Sequence, residues 1–168
     1  MAIEKIGVIG AGQMGNGIAH VLALSGYDVV LDDINKDALA KAIGLIEKNM
    51  QRQAAKGLIK EDQIKPALAR IRVTQTLDDL RDRELVIEAA TEDEGIKKKI
   101  FQDLCTRISD KAMIATNTSS ISVTRLAAST DRPESFIGLH FMNPVPVMQL
   151  VEVIRGIATN DSTFQAAL

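Results

Sequence analysis

The sequence holds 168 residues, 46% of them hydrophobic and 25% charged, with 20 basic and 22 acidic side chains giving a formal net charge of -2. A chain of that size buries roughly 70% of the surface its unfolded form exposes, so it can fold as one domain without a metal or a disulfide staple. The balance of apolar and charged residues excludes a disordered or membrane-spanning class, and the evenly spread charge leaves no footprint for a nucleic-acid partner.

The N-terminal residues run straight into an apolar strand, with no room for a signal or transit peptide, and the single Cys105 has no partner for a disulfide. Both features give the cytoplasm as the expected compartment. Lys5 to Ile9 is a Val/Ile-rich run that stops at Gly10, as a buried parallel strand does at a tight turn. Met14, Ile18, Val21, Leu22 and Leu24 then recur at helical spacing as far as Ser25-Gly26. A second strand over Tyr27 to Leu31 ends on Asp32-Asp33, and a long helix from Lys36 to about Lys56 is closed by Gly57. Glu61 to Ala69 reads as half of a helical hairpin whose regularity is limited or kinked by Pro66.

Further apolar runs at Ile71–Thr74, Leu85–Ala89, Met113–Thr116, Phe136–Leu139 and Leu150–Ile154 alternate with helix-like segments around residues 93–107 and 121–128. This alternation predicts an α/β, Rossmann-like, doubly wound fold: a mostly parallel sheet with helices on both faces and one helical hairpin inserted. Thr159-Asn160-Asp161-Ser162 offers caps for a last helix over Thr163 to Leu168. Residues 1–168 are expected to form one domain that stops about one turn into a linking helix.

Gly10-Ala11-Gly12-Gln13-Met14-Gly15 fits G-x-G-x-x-G at the turn from the first strand into the first helix. Gly10 permits the turn, Gly12 lets backbone N–H groups approach a pyrophosphate, and Gly15 allows close packing of helix on strand. Asp33 follows 18 residues after Gly15, at the end of the second strand, where a carboxylate hydrogen-bonds ribose hydroxyls and repels a 2'-phosphate. The expected cofactor is therefore NAD rather than NADP. Asp32 adds a second negative charge and reads as an exposed strand-end residue. No metal site is expected.

Thr116-Asn117-Thr118-Ser119-Ser120 follows a strand, as does His140-Phe141-Met142-Asn143-Pro144-Val145-Pro146, with Glu152 in the next apolar run. The carboxyl edge of such a sheet is where ligands bind. A histidine, a carboxylate, an amide and hydroxyls can converge there. Gly10 to Ala19, Asn117 to Ser120 and above all His140 to Glu152 resemble the L-3-hydroxyacyl-CoA dehydrogenase family over essentially the whole chain.

The resemblance implies hydride transfer between L-3-hydroxyacyl-CoA and 3-oxoacyl-CoA, with His140 as catalytic acid/base and Glu152 as its partner. It places Ser119 and Asn143 on the substrate oxygen or the nicotinamide ribose, and Glu92 and Lys97 near the cofactor. Lys97 taken alone belongs to the run Lys97-Lys98-Lys99, usually a solvated helical face. Lys56 matches a position near the CoA moiety, while a serine of that region is replaced by Asn49. Family members continue into a helical second domain that supplies dimer contacts, so the full-length enzyme is expected to be a homo-oligomer acting on an acyl-CoA substrate. The competing expectations are another β-hydroxyacid dehydrogenase, which leaves the His140 to Glu152 stretch unexplained, and a noncatalytic NAD-binding fragment.

Overall fold

Val, Ile and Leu fill the central strands on both faces, as a sheet covered by helices on each side requires. The computed structural model describes residues 2–168. Its strands are β1 (Lys5–Ile9), β2 (Asp28–Asp32), β3 (Ile71–Thr74), β4 (Leu85–Glu88), β5 (Met113–Thr116), β6 (Phe136–Phe141) and β7 (Val151–Arg155). They form one sheet in the order β3-β2-β1-β4-β5-β6-β7, parallel throughout except that β7 runs antiparallel to β6. The chain reverses its direction of travel across the sheet between β1 and β4, which opens a crevice above their carboxyl ends.

The helices are α1 (Gln13–Leu24), α2 (Lys36–Ala55), α3 (Ile64–Ala69), α4 (Glu94–Cys105), α5 (Val123–Ala127) and α6 (Asp161–Ala167). Ile6, Val8, Val29, Leu31, Ile87 and Leu139 point to one face and pack with Ile18, Ala19, Leu39, Ile46 and Met50 from α1 and α2. Ile9, Val30, Val86, Ile114 and Phe136 point to the other and meet Phe101 and Leu104 of α4 and Leu126 of α5. Each of these side chains buries fully or nearly so, worth roughly 1.5–3 kcal/mol apiece against exposure for all but the small Ala19. Side-chain caps set the helix starts: Asn35 accepts from Asp37 and Ala38 N–H, Asp93 from Ile96 N–H, and Asn160 from Thr163 N–H. Such caps contribute about 1 kcal/mol each.

The doubly wound sheet and the α2–α3 hairpin agree with the sequence expectation; several boundaries do not. Pro66 is the third residue of α3, where no intrahelical N–H is needed, so it starts the helix instead of kinking it. The irregularity lies in a 3-10 turn just before, at Glu61–Gln63. β4 stops at Glu88, β7 lies one residue later than expected, and β6 continues through His140 to Phe141. That extension is possible because β7 supplies ladder partners to β6 as far as Phe141, opposite Val151. Among the described residues, no helix is long and apolar enough to cross a membrane, and no cluster of potential metal ligands occurs.

Candidate active site

The β1–α1 turn is built for close backbone approach. Gly10 has φ +102, a conformation L residues rarely adopt, and a Cβ there would sit 2.6 Å from the Ala89 carbonyl oxygen. A Cβ at Gly15 would sit 1.6 Å from the Gly10 carbonyl oxygen, so no side chain fits. Gly12 differs: its added Cβ would meet nothing within 4 Å, and as the N-cap of α1 it offers no side chain to the first-turn N–H groups. Open space over uncapped N–H donors at a helix N-terminus suits a pyrophosphate, and Gln13 and Met14 occupy that first turn.

Asp33 stands one residue past the end of β2. Its Oδ2 accepts from Ala11 N–H at 2.8 Å and its Oδ1 from Asn35 N–H at 2.8 Å, so the carboxylate clamps the glycine loop to the start of α2. Asp32 corrects the sequence expectation. It is the last residue of β2 and is buried, 4% exposed, with Oδ1 lacking any partner among the described residues. Burial, helped by the neighbouring Asp33 and Asp79 carboxylates, pushes its carboxyl up to about 6. Two cavities flank the loop. One, of about 620 Å³, is lined by Gly10, Asp32, Asp33, Ile34, Ala90, Ile96 and Lys99. The other, of about 240 Å³, is lined by Gly12, Gln13, Met14, Ala90, Glu92, Lys97 and Asn117. A glycine loop between two cavities, with a carboxylate on one side, fits a dinucleotide.

Lys97 also departs from its reading as a solvated lysine, for it is 1% exposed. α4 begins at Glu94 and turns this lysine inward, where Nζ lies 2.5 Å from Glu88 Oε1. Glu88 is fully buried at the end of β4 and also accepts from Thr116 Oγ1 at 2.9 Å and Ala90 N–H at 2.8 Å. Glu92 is exposed, 3.9 Å from Lys97 Nζ, and accepts from Thr118 Oγ1 and Ser120 Oγ at 3.1 Å each. It thereby ties the β4 exit to the loop that carries Ser119, itself exposed. Sequence reasoning missed Glu88, although a glutamate closing the apolar run Leu85-Val86-Ile87 was a signal of a buried charge needing a partner.

On the far side of the crevice, the β6–β7 register sets His140 directly opposite Glu152. Cross-strand neighbours on one face lie within side-chain reach, and His140 Nδ1 is 3.1 Å from Glu152 Oε1. Their side chains are 22% and 52% exposed. Asn117 supports this corner: its Oδ1 accepts from Phe141 N–H at 2.8 Å, fixing the end of β6 to the end of β5. Asn143 lies exposed in the following turn. Lys56, at the C-cap of α2, rims a separate groove of about 610 Å³ between Asn49, Arg52 and Gln53 on one wall and Pro144, Pro146 and Val147 on the other.

Residues 5–168 match the family model described as 3-hydroxyacyl-CoA dehydrogenase, NAD binding domain. The chain is 58% identical over 165 residues to the 3-hydroxybutyryl-CoA dehydrogenase of Bradyrhizobium diazoefficiens, covering 98% of this chain and 56% of that one. The crystal structure of the (S)-3-hydroxybutyryl-CoA dehydrogenase of Ralstonia eutropha superposes with a TM-score of 0.96 at 45% identity, covering 99% of this chain and 59% of that one. The Escherichia coli 3-hydroxybutyryl-CoA dehydrogenase structure gives 0.95 at 39% identity, over 98% and 35% of the two chains. The chain thus spans a little over half the length of curated relatives such as the Bradyrhizobium enzyme. With an NAD-binding model matched across nearly all its residues and a glycine loop shaped for the dinucleotide, the chain belongs to the 3-hydroxyacyl-CoA dehydrogenase family, as its NAD-binding domain.

Proposed function

We propose that this domain serves an enzyme interconverting L-3-hydroxyacyl-CoA and 3-oxoacyl-CoA, with His140 as the general acid/base. The observation that carries this reading is the cross-strand pairing of His140 with Glu152 at the carboxyl edge of the sheet. An ionised carboxylate only accepts hydrogen bonds, so His140 Nδ1 is the donor in that contact and Nε2 is left as the nitrogen for proton exchange. Nε2 takes the hydroxyl proton in oxidation and returns it to the carbonyl oxygen in reduction. Glu152 fixes the ring's orientation and stabilises the imidazolium formed in between.

When bound, NAD supplies the carbon that takes up or gives the hydride. Gly10, Ala11, Gly12, Gln13, Met14 and Gly15 receive its pyrophosphate region, Asp33 its adenosine ribose, and Glu92 and Lys97 the other end. Ser119 and Asn143 donate to the substrate oxygen or bind the nicotinamide ribose, and Lys56 meets the CoA moiety at the rim of its groove. The lone, partly buried Cys105 supports a reducing, cytoplasmic setting. The exposed Val147, Met148 and Leu150 support further apolar contacts in a longer, homo-oligomeric enzyme.

The test is NADH consumption with acetoacetyl-CoA, followed spectrophotometrically on this chain and on a version extended to the length of its relatives. The extended version is expected to turn over, and this 168-residue chain to bind NAD by calorimetry with little turnover, since hydride transfer demands near-attack geometry closed against water. An extended version that binds NADH yet leaves acetoacetyl-CoA untouched would overturn the reaction assignment.

A further inference from the structure

We propose that Glu88 is a positioning residue of the cofactor site: it aims the Lys97 ammonium into the cavity beside the glycine loop, and nicotinamide-half binding depends on it. This rests on the placement of Lys97 at the cofactor argued above. Two observations carry it: the completeness of the Glu88 hydrogen bonding, and what that leaves on Lys97.

Glu88 Oε1 accepts from both Lys97 Nζ and Thr116 Oγ1, and Oε2 accepts from Ala90 N–H. Both oxygens are therefore committed, to a neighbouring strand and to the chain's own next turn, and the carboxylate cannot rotate. Thr116 is its direct partner in the β4–β5 register, so the acceptor is built into the sheet itself. An ammonium has three N–H groups. One goes to Glu88, and the next anion, Glu92 Oε1 at 3.9 Å, is beyond hydrogen-bond distance. Among the described residues Lys97 has no other side-chain acceptor, so two N–H groups remain, and the lysine lines the cavity shared with Gly12, Met14 and Asn117.

A purely structural role is a poor account of this pair. Removing a lysine and a glutamate from water costs several kcal/mol per ion, and a well-packed apolar pair of similar volume serves a core at least as well. Phe101 and Leu104 fill the neighbouring turns of α4 with hydrocarbon, so the helix has apolar means of docking. The charges instead stand at the crevice end of β4, where a donor held at one point is useful to an incoming polar ligand. The cavity lies on the β4–β5 side of the glycine loop, away from Asp33, which assigns it to the nicotinamide half and not to the adenosine half.

Calorimetric titration of this chain with NADH and, separately, with AMP tests the proposal, because AMP engages only the adenosine half. Glu88→Asp keeps the charge pair, and so the fold, but draws the acceptor back by one methylene. The double variant Glu88→Gln/Lys97→Met removes both charges at similar volume and avoids stranding either one. Both are expected to weaken NADH by about 10-fold or more, in the range of a lost charged hydrogen bond, while AMP stays within about threefold of wild type. If the double variant loses NADH and Glu88→Asp does not, Lys97 matters but its aim does not, and the positioning role falls alone. If the double variant binds NADH as wild type does, the cofactor placement of Lys97 falls with it. Equal losses of NADH and AMP in Glu88→Asp would make Glu88 a general structural residue and overturn the proposal.

Discussion

Two pairs, each joining a carboxylate to a nitrogen donor, stand along the same edge of the sheet, and they live in different surroundings. Glu88 and Lys97 are 0% and 1% exposed, whereas Glu152 and His140 are 52% and 22% exposed. The strands explain the difference. Glu88 closes β4 at the centre of the sheet, covered by α4 on one side, while β7 is the antiparallel edge strand and leaves its face open. A buried pair, open only where Lys97 lines the cavity beside the glycine loop, keeps its charges as a fixed scaffold. A pair that water can reach can trade a proton, as the proposed acid/base must do.

The largest expected effect separates the two pairs by chemistry. In the extended enzyme, His140→Gln should fold and bind NADH yet lose on the order of 100- to 10,000-fold in turnover, the range for a general acid/base. Near-normal turnover in a well-folded His140→Gln enzyme would remove the chemistry from the exposed pair. The same comparison can be made by stability. Glu88→Gln strands a buried ammonium and should cost about 3–5 kcal/mol in denaturant unfolding. Glu152→Gln, which breaks an exposed pair, should cost less than about 1 kcal/mol while still lowering turnover. Similar unfolding costs for both would show that burial does not distinguish them.

Asp33 and Asp32 form a smaller version of the contrast, one carboxylate at the crevice and one beneath it. Asp33→Ala should weaken NAD binding by roughly 10- to 150-fold, for a lost charged acceptor worth about 1.5–3 kcal/mol, and Asp32→Ala by less. Calorimetry giving the larger loss to Asp32→Ala would reverse the two roles. Asp32 is also the case the two pairs lack, a buried carboxylate with no cation. Its carboxyl is held near 6, above the value near 4 of an unfolded aspartate, so between those pH values the folded chain binds the extra proton. The Asp32 contribution therefore favours folding as pH falls from about 7 to about 4. Asp32→Asn should remove that dependence, gaining up to about 2 kcal/mol over wild type between pH 4 and pH 8; a gap that stays constant with pH would contradict it.

The sheet was legible because its strands are short Val/Ile runs punctuated by glycine and aspartate, and the glycine loop because Gly10 and Gly15 answer steric demands that no other residue meets while Gly12 leaves open space. The His140–Glu152 contact was reached through family resemblance, since nothing in local spacing tells that β6 runs on through His140 to meet an antiparallel β7. The Glu88–Lys97 pair was hidden for a different reason. Lys97 sits in a run of three lysines, and only the start of α4 at Glu94 decides which of them turns inward. Asp32 was misread as exposed because two adjacent aspartates at a strand end must face opposite ways, and the sequence does not say which one is covered.

The clamp that Asp33 makes on Ala11 N–H and Asn35 N–H has a consequence for redesign. The side chain proposed to meet the ribose is also a staple holding the glycine loop in shape. Replacing it to welcome NADP would free two backbone donors at once, so the loop would slacken before the new cofactor arrived. A successful switch of cofactor in this domain therefore has to install two things: a cation for the added phosphate, and a fresh acceptor for Ala11.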